Sequence, residues 1–333
     1  MTTPTHKPVV LIASPAEAAA NNGNWQTASR WSRLLQVDFH TRLIASGNGW
    51  QGEPGDALIA LHARRSAGSI KAYTSAHPTR PCILVLTGTD LYRDIHADAS
   101  AQESLRLATH LVVLQERGLA ALPPALRAKA RVIFQSAPRR QPAPAPQRVL
   151  HVIAVGHLRS EKDPLTLLRA ATHLADRRDI RIDLIGTGLD ATLGDAARRT
   201  QQAAPSFRWL GARPHAETRQ RIQRAHLLVN SSRMEGGAHV ILEAVQSGTA
   251  VLASRIDGNV GMLGPAHAGY FQVGDDAELA RLIARARDDA PFLAQLRTQG
   301  EQRSALFAPA AEQQSLLELI SGALRDAAPP NHR

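Results

Sequence analysis

Two glutamates separated by seven residues form the clearest candidate for a binding site. They are Glu235 and Glu243, and Gly236, Gly237 and Ala238 follow the first of them. Carboxylates accept hydrogen bonds from hydroxyl groups, and glycines let backbone N–H groups approach an anion or a sugar closely. Glu243 lies in an otherwise apolar run, and a buried carboxylate needs partners. The pattern therefore indicates a site for an extended, hydroxyl-rich ligand.

A second candidate segment runs from Gly156 to Lys162, between a predicted strand and a predicted helix that begins at Asp163-Pro164. Its cations, Arg159 and Lys162, would lie beside a helix N-terminus, which suits a diphosphate. In isolation, a solvated strand-to-helix turn explains the same residues. Gly186-Thr187-Gly188, after another predicted strand, is a weaker signal, because the rest of a dinucleotide-binding fingerprint is absent.

Three polar segments follow predicted strands in the first half of the chain. Their candidate ligand-binding residues are Gly23 and Asn24; His62, Arg64 and Arg65; and Thr87, Gly88, Thr89 and Arg93. Helix N-termini and guanidinium groups both favour anions. Each segment alone is also explained by a capped helix start or a basic pair on the surface. Together they predict a binding site for a small, anionic, polar molecule.

The elements that must position these residues are short apolar runs alternating with helical periodicity, a pattern typical of parallel α/β architecture. The predicted strands are 8–13, 56–61, 82–86, 111–114 and 131–134, then 149–155, 180–185, 207–210, 227–230, 250–253 and 269–273, and a helix is predicted over 24–35. A proline-rich segment separates the two groups. We therefore predict an α/β fold of two doubly wound Rossmann-like domains facing a cleft.

The predicted boundaries are 1–137 for the first domain, 138–148 for the linker and 149–310 for the second domain, with a helix over about 311–326 that returns to the first domain. Ligands of open parallel sheets bind beyond the carboxyl ends of the strands. We therefore expect the chemistry in the cleft between the domains.

Composition excludes several classes of function. The net charge of the 333 residues is +10, but the basic residues are scattered and only 13 residues are aromatic, so we expect no nucleic-acid partner. No apolar run approaches the roughly 20 residues of a membrane span, and no secretory pattern opens the chain, so we expect a cytoplasmic protein. Cys82 is the single cysteine, which excludes an intrachain disulfide and a cysteine-based metal cluster.

Motifs in the second half resemble those of the retaining GT-B glycosyltransferases of family 4. They are G-H-L-R-S-E-K at 156–162, G-T-G at 186–188, F-R-W-L-G at 207–211, S-R-M-E-G-G at 232–237 and E-A-V-Q-S-G-T-A-V-L-A at 243–253. The resemblance covers residues 149–275 and implies sugar transfer from a nucleotide sugar bound by the second domain, with the first domain on the acceptor side.

Specific roles follow from that resemblance. Arg159 and Lys162 would hold the diphosphate, Glu235 and the amides of residues 236–238 the donor sugar, Glu243 the ribose, and Arg213 the edge of the base, with Gly156, His157, Gly186 and Gly188 completing the donor site. Many family members have arginine where this chain has His157, so Arg159 is the candidate for the first cation. No D-x-D motif is present, so we expect neither a metal nor a cofactor.

Further motifs resemble a narrower branch, the selenosugar synthases of selenoneine biosynthesis. They are N-G-N-W-Q-T-A-S-R-W at 22–31, L-H-A-R-R-S-A at 61–67, L-T-G-T-D-L-Y-R-D at 86–94 and G-N-V-G-M-L-G at 258–264. This resemblance spans nearly the whole chain. It implies transfer of a sugar, with N-acetylglucosamine expected, from a UDP-sugar to selenophosphate, and association with the other enzymes of that pathway.

Two other functions stay open. One is a family 4 glycosyltransferase that acts on a hydroxyl group of a sugar or a lipid headgroup. The other is a non-catalytic protein that binds a nucleotide sugar or nucleic acid. The first would share the donor motifs and differ in the first domain.

Overall fold

The computed structural model describes residues 7–15, 23–44, 49–143 and 148–327. The chain divides into two compact units, Met1–Gln135 with Pro309–Arg333, and Ser136–Ala308. Residues 21 and 22 of the first polar segment and residues 144–147 of the predicted linker lie outside the described residues. Residues before that gap bond to the second unit: the N–H of Ala137, the last residue of the predicted first domain, donates to the Phe307 carbonyl, and the N–H of the linker residue Arg140 donates to the Gln246 carbonyl.

The first unit is built on a parallel sheet of six strands. They are β1 (Val9–Ala13), β2 (His40–Ile44), β3 (Ala57–Leu61), β4 (Cys82–Leu86), β5 (His110–Val113) and β6 (Ala130–Val132). Their order in the sheet is β2-β1-β3-β4-β5-β6. The direction of strand addition therefore reverses between β1 and β3, and ligands of such sheets bind beyond the strand ends at that point.

Helices cover both faces of this sheet. They are α1 (Gly23–Leu35), α2 (Ala67–Ala76), α3 (Ile95–Ala97), α4 (Ala99–Leu107), α5 (Gly118–Ala121) and α13 (Pro309–Ala327), with a π-helical turn at Asp90–Asp94 and a 3₁₀ turn at Pro124–Lys129. Alternate strand residues point to opposite faces. Leu11 therefore packs in the cluster with Ile70 of α2, whereas Ile12 packs with Trp31 of α1 and Ile320 of α13.

The last of these helices is fixed by a buried carboxylate. Glu312 is 1% exposed. It accepts a hydrogen bond of 2.6 Å from the Trp31 indole and bonds of 2.8 and 3.1 Å from the Arg30 guanidinium. A buried ion needs partners of this kind. The bonds attach α13 to α1, so the helix predicted over 311–326 lies in the first unit.

The second unit also contains six parallel strands. They are β7 (Leu150–Val155), β8 (Ile180–Ile185), β9 (Phe207–Trp209), β10 (Leu227–Asn230), β11 (Ala250–Ser254) and β12 (Tyr270–Phe271). The order β12-β11-β10-β7-β8-β9 is the Rossmann order and reverses between β7 and β10. The loops after β7 and β10 carry the two donor-site segments predicted from the sequence.

The remaining helices belong to this second unit. They are α6 (Pro164–His173), α7 (Ala191–Ala203), α8 (His215–Arg224), α9 (His239–Val245), α10 (Asp257–Leu263), α11 (Asp276–Asp288) and α12 (Ala290–Arg303), with 3₁₀ turns at Ser160–Lys162 and Ser304–Phe307. No helix in the part of the chain that the structure describes is long and apolar enough to cross a bilayer.

The helix predicted to begin at Asp163-Pro164 does begin there, but aspartate is a common N-cap residue and Asp163 does not act as one. Asp163 occupies the N-cap position, but its carboxylate caps no backbone N–H group and its φ of 43° is left-handed. The carboxylate instead accepts a hydrogen bond of 2.8 Å from the Thr166 hydroxyl and lies 3.3 Å from the Arg233 Nε atom. Aspartate tolerates the left-handed region better than most residues, and the chain enters α6 through Asp163 in this conformation.

Candidate functional site

The loops after β7 and β10 meet through an ion pair. Lys162 Nζ lies 2.5 Å from Glu235 Oε1, although the two residues are 73 positions apart in the sequence. Gly156, His157 and Lys162 line one small pocket together with Asn230 and Ser232. The Rossmann strand order places this pocket at the reversal point of the sheet. The two segments predicted to form a donor site therefore lie together.

Glu235 is a buried carboxylate that stays ionised. Burial alone would raise its pKa, but the charge and hydrogen bond of Lys162 act in the opposite direction, and the net shift of the pKa is downward. The Ser232 hydroxyl at 2.6 Å and the Asn230 amide at 3.5 Å donate to the same oxygen and lower the pKa further. The result is an acceptor for hydroxyl groups, held at the edge of the pocket.

The segment after Glu235 presents backbone donors. The N–H groups of Gly236, Gly237 and Ala238 donate to no acceptor among the residues that the structure describes. Close packing fixes the loop, because a Cβ atom on Gly258 would lie 2.0 Å from the Glu235 carbonyl oxygen. The backbone before α9 can therefore donate hydrogen bonds to a ligand, and Gly258 cannot be replaced without moving it.

Glu243 lies on α9 and is 3% exposed. Its contacts converge on Oε1, with His215 Nε2 at 2.7 Å, His239 Nδ1 at 3.4 Å and Arg219 Nε at 3.8 Å. Burial alone would raise the pKa of this carboxyl group. The hydrogen bonds from the two histidines and the Arg219 charge instead lower its pKa to about 2. Oε2 accepts no hydrogen bond from the described residues, so this oxygen is the one that can receive a ligand hydroxyl.

His157 is a neutral donor rather than a cation. Its Nδ1 atom accepts a hydrogen bond of 3.2 Å from the Thr187 N–H, which leaves the proton on Nε2. Burial lowers its pKa, and the charges of Arg159 and Lys162 lower it further. Arg159 has a side chain that is 45% exposed and lies 4.0 Å from Glu161. Among the residues after β7, the positive charge therefore resides on Arg159 and Lys162.

The two glycines after β8 are required by packing. A Cβ atom on Gly186 would lie 1.9 Å from the Gly156 carbonyl oxygen, and one on Gly188 would lie 3.0 Å from the Trp209 ring. Gly186 thus lets the loops after β7 and β8 approach each other closely, and Gly188 makes room for the Trp209 ring of β9. Arg213 lies just before α8 and pairs with Glu217 at 3.8 Å. Its predicted contact with a base stays a prediction.

In the first unit, Asp90 joins two of the predicted loops. This residue is fully buried. Its Oδ1 atom accepts hydrogen bonds of 2.9 Å from the Thr87 and Gly88 N–H groups after β4. Its Oδ2 atom accepts one of 2.9 Å from the Ala63 N–H after β3. Two neighbouring loops are therefore fixed to each other by one carboxylate.

Asp94 gathers the predicted cations of these loops. Arg64 Nε donates to Oδ2 at 2.9 Å and Arg93 Nε donates to Oδ1 at 3.0 Å. Burial alone would raise the pKa of Asp94, but these two hydrogen bonds hold it below its usual value. His62 Nε2 lies 3.8 Å from Oδ2 and 3.1 Å from the Thr89 hydroxyl.

His62 is 2% exposed and has a left-handed φ of 74°, a strained conformation for a histidine. Burial lowers its pKa, and the carboxylates of Asp90 and Asp94 offset this only in part. Arg65 is exposed, and its guanidinium pairs with no carboxylate among the described residues. Gly23 and Asn24 form the first turn of α1, where the Thr27 hydroxyl donates to the Gly23 carbonyl at 2.8 Å.

Comparison with known proteins places the second unit in a family. The model of the family described as "Glycosyl transferases group 1" matches residues 137–303, half of the chain. The chain belongs to this family. A D-inositol 3-phosphate glycosyltransferase from Corynebacterium diphtheriae is 30% identical over 177 residues, which cover 49% of this chain and 40% of that protein. The match thus spans less than half the length of this curated relative.

Solved structures share the fold of this group 1 member. A sucrose-phosphate synthase from Thermosynechococcus elongatus is 16% identical with a TM-score of 0.79, covering 96% of this chain and all of the other. HepE from Anabaena, solved with UDP and glucose, is 15% identical with a TM-score of 0.72, covering 95% of this chain and all of the other. The predicted fold class, GT-B with two Rossmann-like domains, is confirmed.

Several residues that contact the predicted site residues were not found from the sequence of this group 1 member. They are Asp90, Asp94, His215 and Arg219, with Ser232 and Asn230 as partners of Glu235. Asp90 and Asp94 stand within the quoted motif at 86–94, four residues apart, which is the spacing of one helical face. That spacing was the available signal. No group of three or more potential metal ligands occurs within the described residues.

Proposed function

We propose that this chain is a retaining glycosyltransferase of family 4 that transfers a sugar from a UDP-sugar to a small anionic acceptor. The observation that carries this proposal is the Lys162–Glu235 pair at the reversal point of a Rossmann-ordered sheet, with donor N–H groups following it. The group 1 family match and the UDP-bound structures that share the fold support a nucleotide sugar as the donor.

The leaving group is UDP, and its developing charge lies on the diphosphate. Arg159, Lys162 and the amides after Glu235 are the groups that would stabilise it, without a metal ion. Preorganised cations and N–H groups of this kind supply a large part of transition-state stabilisation. Lys162 would then lie between the diphosphate and Glu235, so that one ammonium group orients both the phosphate and the sugar-binding carboxylate.

The two glutamates divide the rest of the donor between them. Glu235 is ionised and would accept hydrogen bonds from hydroxyl groups of the transferred sugar, with N-acetylglucosamine as the expected sugar. Glu243 would accept a ribose hydroxyl through Oε2, because its other oxygen is occupied by His215, His239 and Arg219. His157 would donate from Nε2, as a neutral group, to an oxygen of the donor.

The acceptor we propose is selenophosphate, held by the cations after β3 and β4. Its selenium would form the bond to the anomeric carbon on the same face from which UDP departs, and the electron pair of the breaking C–O bond would leave with UDP. An anionic nucleophile needs no strong general base. Hydrolysis of the P–Se bond by water would then give the selenol and phosphate in a second step, as in selenosugar formation for selenoneine biosynthesis.

A hydroxyl acceptor is the second candidate, and one observation favours it. The relative from Corynebacterium diphtheriae is described as acting on D-inositol 3-phosphate, a polyol that carries a phosphate group. The same arginines could hold the phosphate of such an acceptor while a hydroxyl group attacks. The two candidates differ in the nucleophilic atom, and both place a phosphate-type anion on the first unit.

Mass spectrometry of reaction products tests the proposal. The purified chain would be incubated with a panel of UDP-sugars and with selenophosphate, thiophosphate, phosphate or inositol phosphates. We expect a selenium–carbon product from selenophosphate, with UDP-N-acetylglucosamine as the best donor. A product formed only from hydroxyl acceptors would select the second candidate. UDP-sugar binding without transfer to any acceptor would contradict the enzymatic function.

A further inference from the structure

A groove in the second unit lies between α8 and the sheet, and it encloses about 420 Å³. That volume is typical of small-molecule sites. Charged or titratable side chains line its two walls, with Glu217, Arg221 and Arg224 on α8 and with His151, Arg181 and Asp183 on β7 and β8. The strand residues alternate with Val152 and Ile182, which enter the core on the opposite face of the sheet. We call this feature the α8 groove.

The α8 groove is separate from the donor pocket. His151 is the second residue of β7, whereas Gly156, which lines the donor pocket, follows the end of that strand. Strand residues advance about 3.3 Å each, so these two residues lie about 16 Å apart along the strand direction. The donor pocket is at the carboxyl ends of the strands, and the groove begins at their amino-terminal ends. The chemistry of UDP-sugar transfer therefore leaves the groove unexplained.

The arginines that face the groove have unused hydrogen-bond donors. Arg181 donates only from Nε, to Asp183 at 3.3 Å. Arg221 likewise donates only from Nε, to Glu217 at 2.8 Å, and the terminal nitrogens of both arginines bond to none of the described residues. Arg224 is exposed and forms no hydrogen bond or ion pair with the described part of the chain. A guanidinium with free nitrogens can hold an oxyanion in a two-point contact.

Positive charge exceeds negative charge in the groove. Its two carboxylates, Asp183 and Glu217, are outnumbered by the three arginines of its walls. Each carboxylate also pairs with an arginine outside the groove. Arg208 lies 2.8 Å from Asp183, and Arg213 lies 3.8 Å from Glu217. Both carboxylates are therefore neutralised, and the groove keeps an excess of guanidinium groups.

The carboxylate that precedes β8 does not reverse this excess. Asp179 stands two residues before Arg181, and Arg177 and Arg287 both pair with it, each at 2.9 Å. Arg177 also pairs with Asp288 at 2.6 Å, so these two arginines and two aspartates together carry no net charge. The net charge that a ligand meets in the α8 groove is therefore positive.

The positive charge is concentrated at one end of the groove. His151 and Arg181 are partners in the register of β7 and β8. The N–H of His226, two residues after Arg224, donates to the His151 carbonyl at 2.9 Å, so the end of α8 lies beside the same pair. The two carboxylates of the groove lie further along β8 and α8. Two guanidinium groups and one imidazole therefore meet at this end, a combination that suits a phosphate group.

The other end of the groove suits hydroxyl groups. Glu217 uses Oε1 for Arg221 and Arg213, and its Oε2 atom accepts no hydrogen bond from the described residues. A carboxylate repels a phosphate group, but it accepts hydrogen bonds from hydroxyl groups. A ligand that fits both ends carries a phosphate group at one end and hydroxyl groups at the other.

We propose that the α8 groove is a binding site for a small phosphorylated polyol, with its phosphate group beside Arg181 and Arg224 and its hydroxyl groups beside Glu217. The enclosed volume and the wall formed by α8 favour a metabolite over the backbone of a nucleic acid. This inference goes beyond the proposed function and does not rest on it, because none of the proposed donor or acceptor residues lines the groove.

Isothermal titration calorimetry of the full chain measures this binding directly. The probes are glucose 6-phosphate, propyl phosphate, which lacks the hydroxyl groups, and glucose, which lacks the phosphate group. We expect glucose 6-phosphate to bind about 5-fold more tightly than propyl phosphate, since it gains hydrogen bonds to Glu217, and we expect no binding of glucose. No binding of glucose 6-phosphate, or equal affinity for the two phosphates, would overturn the proposal.

Replacement of Arg224 locates the site. Arg224→Gln removes a guanidinium that has no partner in the described chain, so the variant should keep its fold. We expect the Kd for both phosphates to rise about 10-fold, since a charge-assisted contact is lost. Arg169→Gln is the matched control, because Arg169 on α6 is also exposed and without a partner among the described residues, and its loss changes the net charge equally. The same Kd in these two variants would refute the groove as the site.

Variants of the other two proposed anion sites separate the groove from them. Lys162→Met changes the donor pocket, and Arg65→Gln changes the first unit. Neither should alter the affinity for glucose 6-phosphate that depends on Arg224. Loss of that affinity in either variant would place the bound phosphate group outside the groove and contradict the proposal.

Replacement of Glu217 tests the hydroxyl end, where bulk charge and hydrogen bonding predict opposite results. Glu217→Gln removes a negative charge, which by itself would strengthen the binding of any phosphate. If Glu217 accepts hydroxyl groups, the variant binds glucose 6-phosphate about 5-fold more weakly and propyl phosphate no more weakly than the wild type does. Unchanged or tighter binding of glucose 6-phosphate would contradict the contact with hydroxyl groups.

The outcomes separate this inference from the proposed function. Binding that depends on Arg224, in a chain that transfers no sugar to any acceptor, would support the groove and refute the glycosyltransferase function. Sugar transfer by a chain that shows no such binding would support the function and refute the groove.

Discussion

Replacing Glu243 by glutamine tests whether the ionised Glu243 carboxylate stabilises the second unit. Burial alone would raise its pKa, but His215, His239 and Arg219 lower it from the ordinary 4.5 to about 2. One pKa unit corresponds to about 1.4 kcal/mol, so the ionised form is favoured on folding by about 3 kcal/mol. We expect the neutral glutamine of Glu243→Gln to lower the free energy of unfolding of this unit by a similar amount at pH 7.

The pH dependence of this contribution has a definite sign. Above pH 4.5 the carboxylate is ionised in the folded and the unfolded chain, and the stabilisation is fully present. As the pH falls from 4.5 towards 2, the unfolded chain takes up the proton first, and the stabilisation is lost. The difference between wild type and Glu243→Gln should therefore shrink over that window. Since two histidines contact the same carboxylate, the stabilities of wild type and Glu243→Gln are first compared at a fixed pH of 7.

Hydrogen exchange followed by mass spectrometry measures the effect locally, since a chain of two units need not unfold in one step. We expect the slowest amides of α8 and α9 to exchange about 100-fold faster in Glu243→Gln. Glu217→Gln is the control, because the Glu217 side chain is 34% exposed and its pair with Arg221 should contribute less than about 1 kcal/mol. Equal exchange in the two variants would refute a stabilising role for the ionised Glu243 carboxylate.

Three further changes have expected outcomes. Lys162→Met removes the cation beside buried Glu235, and steady-state kinetics should show a loss in UDP-sugar use of about 10- to 100-fold; wild-type rates from the folded variant would contradict the donor site. A chelator should leave the transfer rate unchanged, whereas abolition with recovery on adding magnesium or manganese would contradict metal independence. Glu312→Ala removes the buried partner of Trp31 and should destabilise the first unit by about 3–5 kcal/mol in thermal unfolding, with exposed Glu318→Ala as control.

Strands that are buried on both faces could be predicted. Cys82–Leu86 and Leu227–Asn230 form strands with the predicted bounds, because short runs dominated by apolar residues between turns have few other stable environments. The strand His40–Ile44 was not predicted. It lies at the edge of its sheet, and only Ile44 is buried. An edge strand with polar residues has the same composition as a loop.

The candidate site was predictable where its residues are close in sequence. The segments after β7 and β10 were found from their own composition, and the strand order explains why they meet. Two partners of Glu243, His215 and Arg219, were not found, since they lie 28 and 24 residues away in the sequence and no local pattern connects them to it. Asp94 was overlooked for a different reason. Arg93, one partner of Asp94, is adjacent to it in the sequence. The other partner, Arg64, meets Asp94 only through a turn that the fold creates.

The attachment of α13 to the first unit has a consequence for biosynthesis. A ribosome synthesises Met1–Gln135 long before it reaches Glu312. The part of the sheet face that receives Leu316 and Ile320, beside α1, is uncovered until then. The whole of Ser136–Ala308 is translated in this interval. The second unit can therefore finish folding first, although it begins later, while the nascent first unit exposes an apolar face that chaperones would recognise. Stalled or truncated translation would leave the first unit, rather than the second, open to aggregation.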